Sequence, residues 1–207
     1  MIRESNIDQG INRLLAHFGP RVAAHPPAAA RDLADVEELA GRLPRDLVFF
    51  LSASDGVSVH LAGSDFDARL WGTHDMLHVL RGDLTAAAGP AVIPGLLPIR
   101  GDVRGRYDCL VQDECPLHGV VLRVDAWSAE RCVLATGFGV YFDALTRYLT
   151  HAFDDAGRPR RDRPLVAFDA DYVTEFDADL RRLSNLPATH SWLHDLEATL
   201  SSGDDFE

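Results

Sequence analysis

The sharpest chemical spacing in this sequence is His74-Asp75-Met76-Leu77-His78. Histidines at i and i+4 share one helix face, the arrangement with which zinc hydrolases hold their metal around an intervening glutamate. Here aspartate replaces the glutamate, so the would-be base is one methylene shorter. No third ligand follows at the spacings such sites use; His60 or Cys109 would have to be brought in by the fold. His190 and His194 repeat the spacing around Trp192 with no acid between them. A metal-dependent hydrolase using His74 and His78 is therefore the weakest functional reading, and a solvated helix face shared with Arg81 the stronger one.

Other catalytic patterns fare no better. Ser54 before Asp55-Gly56 has turn chemistry and lacks the Gly-x-Ser-x-Gly elbow of a hydrolytic nucleophile. The segment GDVRGR lacks the Lys-Ser/Thr ending of a phosphate loop and leads into a strand, not a helix. Asp154-Asp155 and Asp204-Asp205 are paired carboxylates on segments without the rigid support a metal or general-acid site needs. The expectation is a protein with no catalytic residues, no metal and no cofactor. What remains is a set of acids expected in or beside loops, Asp65, Asp67, Asp102, Asp108, Asp113 and Glu114, where recognition residues concentrate. Trp71 and Tyr107 are aromatic anchors for such a surface, although the apolar segment around Trp71 suits it better to a place half in the core.

The elements that must position these residues follow from periodicity. Ile7, Ile11, Leu14, Leu15 and Phe18 predict a first helix, closed by Gly19-Pro20. Residues 20–31, rich in proline and alanine, read as a connector. Val36, Leu39 and Leu43 mark a second helix. Pro44 opens a third at its first position, where a missing N–H costs nothing, with Leu47, Phe50 and Leu51 inward. Val57, Val59 and Leu61 alternate as a strand, DFDARLW adds a second, and THDMLHVLRGDL is a helix with Thr73 as its cap. From residue 96, LLPI, RYDCLVQD, HGVVLRVDAW and RCVLAT are closely spaced strands, which predicts an antiparallel meander. Phe138, Phe142, Leu145 and Leu149 return the chain to helix.

The predicted class is α+β, a mainly antiparallel sheet flanked by helices, spanning residues 1–153. A polar hinge at 154–163 and an acidic helical extension at 164–207 follow. Tyr172, Phe176, Leu180 and Leu183 form one apolar stripe of the extension, and Trp192, Leu193, Leu196 and Leu200 another; both are expected to pack on the core. Between 164 and 207 there are ten acids against two arginines, so this extension carries most of the net charge of −12. All 20 basic residues are arginine, a usage that suits a GC-rich bacterial genome. The charge speaks against nucleic acid and anionic membranes as partners; it suits either a basic partner or simple solubility. Three cysteines without Cys-x-x-Cys spacing fit reduced thiols, and the first residues lack the pattern of a signal peptide, so a cytoplasmic location is expected.

Three stretches carry a family resemblance. LPRDLVFFLSASDG resembles the opening signature of the SUKH superfamily, a Leu-Pro, a short helix ending in Phe-Leu and an Asp-Gly turn. LLPIRGDVRGRYDCLV is similar to its central strand–turn–strand with Gly-x-Tyr, and TGFGVYFDALTRYL to its closing aromatic-Asp-x-Leu helix. They fall in order between residues 32 and 153. The resemblance implies a sheet flanked by helices and no shared catalytic residues. It also implies a role in protein binding: many bacterial members are immunity proteins that neutralise a cognate toxin. The expected mechanism is occlusion of the active site of a basic toxin, for instance a nuclease, by the acidic surface. The alternative within the same resemblance is a non-enzymatic regulatory scaffold.

Overall fold

The structure is a computed structural model, which describes residues 2–82, 95–102, 105–112, 117–125, 131–162 and 166–180. Helix α1 (Ile2–Phe18) buries Ile7, Leu14 and Phe18, with Ile11 partly covered. Leu15, expected on the same face, is 43% exposed; it sits one residue round from the stripe that Leu14 and Phe18 define. The Pro/Ala-rich stretch is not wholly a connector. After a 3-10 turn (Gly19–Arg21) it forms strand β1 (Val22–Ala24), too short for alternation to show.

Helix α2 (Ala30–Ala40) buries Val36, with Leu33 and Ala40 packed beside it. Leu39 faces out at 49% exposure, contrary to expectation, because these three residues already occupy the inward side. Pro44 stands one position earlier than expected, as the N-cap of α3 (Arg45–Ala53), and Leu47, Phe50 and Leu51 are inward. At Gly56 (φ 96°) the chain turns so tightly that a Cβ would lie 2.9 Å from the Gly72 nitrogen.

Strands β2 (Val57–Val59) and β3 (Arg69–Leu70) complete a small antiparallel sheet in the order β1-β2-β3. Helix α4 (Thr73–Leu80) begins after Gly72, and Thr73 does not cap it. Asp55 does so from a distance: its carboxylate accepts the Thr73 N–H at 2.6 Å and the Thr73 hydroxyl at 2.9 Å.

The expected meander is present. Strands β4 (Leu96–Gly101), β5 (Arg106–Val111), β6 (Val121–Asp125) and β7 (Arg131–Ala135) pair antiparallel in sequence order. The Trp71 N–H donates to the Ile99 carbonyl at 2.9 Å and joins the two sheets where β3 meets β4. The meander is covered on both faces. Leu97, Leu110, Val121 and Leu134 belong to the main core; Leu96, Tyr107, Cys109, Val111, Leu122 and Val124 form a second cluster behind it.

Helix α5 (Phe138–Ala152) closes the main core with Phe138, Phe142, Leu145 and Leu149, as its spacing predicts, and with Tyr141 and Tyr148. It lies so close to α1 that a Cβ on Gly10 would come within 2.6 Å of the Phe142 ring. Beyond it, Phe153 and Pro159 form a bridge around a turn in which Asp154 accepts the Arg158 N–H. Phe168, Tyr172, Val173 and Leu180 join the main core. The helix there, α6 (Ala170–Thr174), is shorter than expected. Three residues beyond its end, Asp177 turns inward to accept the Thr136 N–H at 2.7 Å. Leu183, Trp192, Leu193, Leu196 and Leu200 lie outside the described residues. Among the described residues, no helix is long and apolar enough to cross a membrane.

The fold is thus α+β, with helices packed on antiparallel sheets of three and four strands. Each large apolar side chain taken from water into this core contributes roughly 1.5–3 kcal/mol.

Candidate functional site

Directly opposed residues in an antiparallel pair share a face. In the meander, Asp108 on β5 lies opposite Arg100 on β4 and Arg123 on β6. The row Arg100–Asp108–Arg123 therefore crosses three strands on the face that meets α5. A β-bulge makes it possible. Leu97 pairs with Leu110 and Pro98 with Cys109, but the register then slips by one and Arg100, not Ile99, faces Asp108.

Asp108 was expected near a loop as a recognition residue; it is instead 1% exposed at the centre of the meander. A carboxylate can be buried there because donors surround it. Arg100 Nη1 donates to Oδ2 at 2.7 Å, Arg123 Nε to Oδ1 at 2.7 Å and Arg123 Nη2 to Oδ2 at 3.0 Å. The Tyr141 hydroxyl, from α5, donates to Oδ2 at 2.7 Å. Burial alone would raise the carboxyl, but the two guanidiniums and the tyrosine hold it down at about 2. The same burial, reinforced by the Asp108 charge, pushes the Tyr141 phenol well above its usual range, so it stays a donor. Burial also raises the neighbouring Cys109 thiol, which makes it an inert core residue.

The two arginines extend this hub outward. Arg100 Nε donates to the Asp67 carbonyl at 2.8 Å, and its guanidinium lies 4.4 Å from the centre of the Phe66 ring. Arg123 Nη1 donates to the Phe168 carbonyl at 2.6 Å. Loop 63–68 and the segment around Phe168, far apart in sequence, are thus fastened to one carboxylate. Between them opens a cleft of about 670 Å³. Arg100 and Arg123 line it, Phe66, Tyr148 and Phe168 wall it, and Asp65 and Asp169 lie along it.

The remaining sequence-predicted residues separate. Asp65 is exposed on the cleft, and Asp102 also lines it, held by the Arg106 N–H at 3.0 Å and Arg106 Nε at 2.9 Å. Asp67 is half-buried and turns its carboxylate to the Arg69 N–H at 2.9 Å; burial raises its carboxyl. Trp71 is half-buried and meets Tyr107 edge-to-face over Gly101, away from the cleft. Asp113 and Glu114 lie outside the described residues. His74 and His78 do share a face of α4, their rings 5.2 Å apart, and Asp75 between them pairs with Arg69. Among the described residues no group of three or more His, Cys, Asp or Glu side chains is gathered that could hold a metal ion.

Sequence reasoning missed Arg100, Arg123 and Tyr141. Their signal was an acid inside an apolar strand, RYDCLV, with an arginine in each flanking strand. No protein-family model matches the chain, and no curated protein matches it.

Proposed function

We propose that this chain is a SUKH-type protein-binding protein, and that it acts as an immunity protein which neutralises a cognate toxin by covering its active site. The observation that carries this reading is that the three SUKH-like stretches lock into one another. LPRDLVFFLSASDG supplies α3, LLPIRGDVRGRYDCLV supplies β4 and β5, and TGFGVYFDALTRYL leads into and forms most of α5. Phe50 of the first packs 5.2 Å from both Phe138 and Phe142 of the third. Asp46 of the first accepts the Gly139 N–H at 2.7 Å, and Asp108 of the second accepts from Tyr141. The resembling stretches thus meet in one core, which supports reading them together as a single framework.

The framework presents acids. Asp65, Asp155, Asp162, Asp171, Glu175 and Asp179 are exposed. Carboxylates so placed compete with phosphates for the arginines and lysines of a basic toxin, and their long-range field speeds encounter. The chemistry is binding alone: no bond is made or broken, no metal or cofactor is used, and the site of action is the cytoplasm. The test is to express the product of the neighbouring gene in a sensitive host, with and without this chain. Protection together with a stable complex of the two proteins is expected. A complex without toxicity would replace the immunity role with that of a regulatory scaffold, and the absence of any complex would overturn the binding role.

A further inference from the structure

Three arginines and three aspartates line the cleft above the hub: Arg100, Arg106 and Arg123 against Asp65, Asp102 and Asp169. Two further acids bear on those arginines from outside the lining. Asp108 holds Arg100 and Arg123 from beneath, and the charge of Asp67 is coupled to Arg100. Five acids thus act on three arginines, and each arginine is already engaged, two by Asp108 and Arg106 by Asp102. The balance at the cleft is negative and draws cations. The rings of Phe66 and Phe168 meet edge-to-face at 6.3 Å with Arg100 and Arg123 over them, so nothing enters between the rings. Asp65 and Asp169, their chain neighbours, therefore flank one opening. The apolar lining nearest solvent is half-buried Phe66 with exposed Pro159 and Ala167. Carboxylates beside apolar surface suit a side chain with a charged head and a long apolar stem, which is what arginine and lysine offer. At about 670 Å³ the cleft has room for such a side chain and part of the backbone that carries it. A second copy of this chain, at a net charge of −12, is repelled.

We infer that this cleft is the socket for an arginine or lysine of the partner protein, its head at Asp65 and Asp169 and its stem along Phe66, Pro159 and Ala167. The inference rests on the binding role proposed above and names the place on this chain where the basic partner docks.

Two measurements on the full-length protein test it, and both use variants that leave the hub intact. Ala167→Trp fills the cleft from its exposed rim. Asp65→Asn with Asp169→Asn removes both charges at the opening, and an asparagine at 169 still caps α6. The control, Asp32→Asn with Glu38→Gln on α2, removes the same charge outside the cleft. In the first measurement, the capped peptide Gly-Arg-Gly is titrated into isotope-labelled protein and the amide resonances are followed. Saturable shifts at residues 63–66 and 167–169 are expected, with a Kd of about 1–10 mM, and Ala167→Trp should remove them without moving the melting temperature. The second measures affinity for the product of the neighbouring gene. Each cleft variant should weaken that complex by roughly tenfold or more, and the control by less than about twofold. No saturable shift, or equal binding of the capped peptide Gly-Glu-Gly, would overturn the socket. So would a complex that both cleft variants leave as tight as before, with the binding role intact. No complex with any of the chains would instead overturn the binding role, and the peptide titration alone would then decide whether the cleft takes a basic side chain.

Discussion

Asp108 and Asp65 are the same residue in opposite circumstances. Asp108 is taken out of water, ringed by four donated hydrogen bonds and shared between two arginines. Asp65 stands in solvent at the edge of the cleft that the Asp108 hub holds open. A buried charge costs several kcal/mol to desolvate, so it adds little net stability, but it makes its exact partners indispensable. A charge at the surface costs little to place, and its field reaches other molecules. The first kind of acid specifies the fold, and the second is available for recognition.

Asp108→Ala probes the comparison where the expected effect is largest. It leaves two guanidiniums buried without their carboxylate, which should cost about 3–5 kcal/mol. Denaturant melts followed by circular dichroism would show a shifted midpoint; a loss under 1 kcal/mol would mean that water reaches the arginines.

Acid sharpens the same contrast. The Asp108 carboxyl lies near 2 in the folded chain and near 3.8 when unfolded. A carboxyl depressed by folding contributes stability above its unfolded value and loses it as pH falls through its folded value. Stability of order 2 kcal/mol should therefore drain away between about pH 5 and pH 1, and the Asp108→Asn chain should lack that component. Thermal melts across this range would decide it.

Tyr141→Phe deletes one donor to the carboxylate without emptying the core, and should cost about 1.5 kcal/mol in the same melts. At the small end, Asp65→Asn should change stability by less than about 0.5 kcal/mol. A large loss there would place Asp65 among the structural acids.

The parts of this fold that sequence exposes are those where local pattern and final environment agree. Phe138, Phe142, Leu145 and Leu149 repeat at helical spacing and all face inward. The meander was legible because turn residues separate its strands at short, regular intervals. Asp108 was illegible because its partners lie 8 and 15 residues away and their alignment depends on a bulge beside Pro98. A regular hairpin would have set Ile99 against it, and an acid in a strand without visible partners reads as surface. Strand β1 escaped notice for another reason: three residues, two of them exposed, give no alternation to detect. Asp177 likewise looked like one more acid on a solvated helix, although it is buried against the Thr136 N–H. Helix faces and strand counts are local properties, whereas the pairing of charges across strands is not.

The central claim, that the exposed acids carry recognition, is tested most directly by association kinetics. The protein, and the chain carrying Asp65→Arg with Asp171→Arg, would be mixed by stopped flow with the product of the neighbouring gene, over a salt series. The account predicts that the double reversal slows association at low salt while leaving dissociation nearly unchanged. The difference should shrink as screening shortens toward about 8 Å at physiological ionic strength. Equal association rates for both chains at every salt concentration would contradict it.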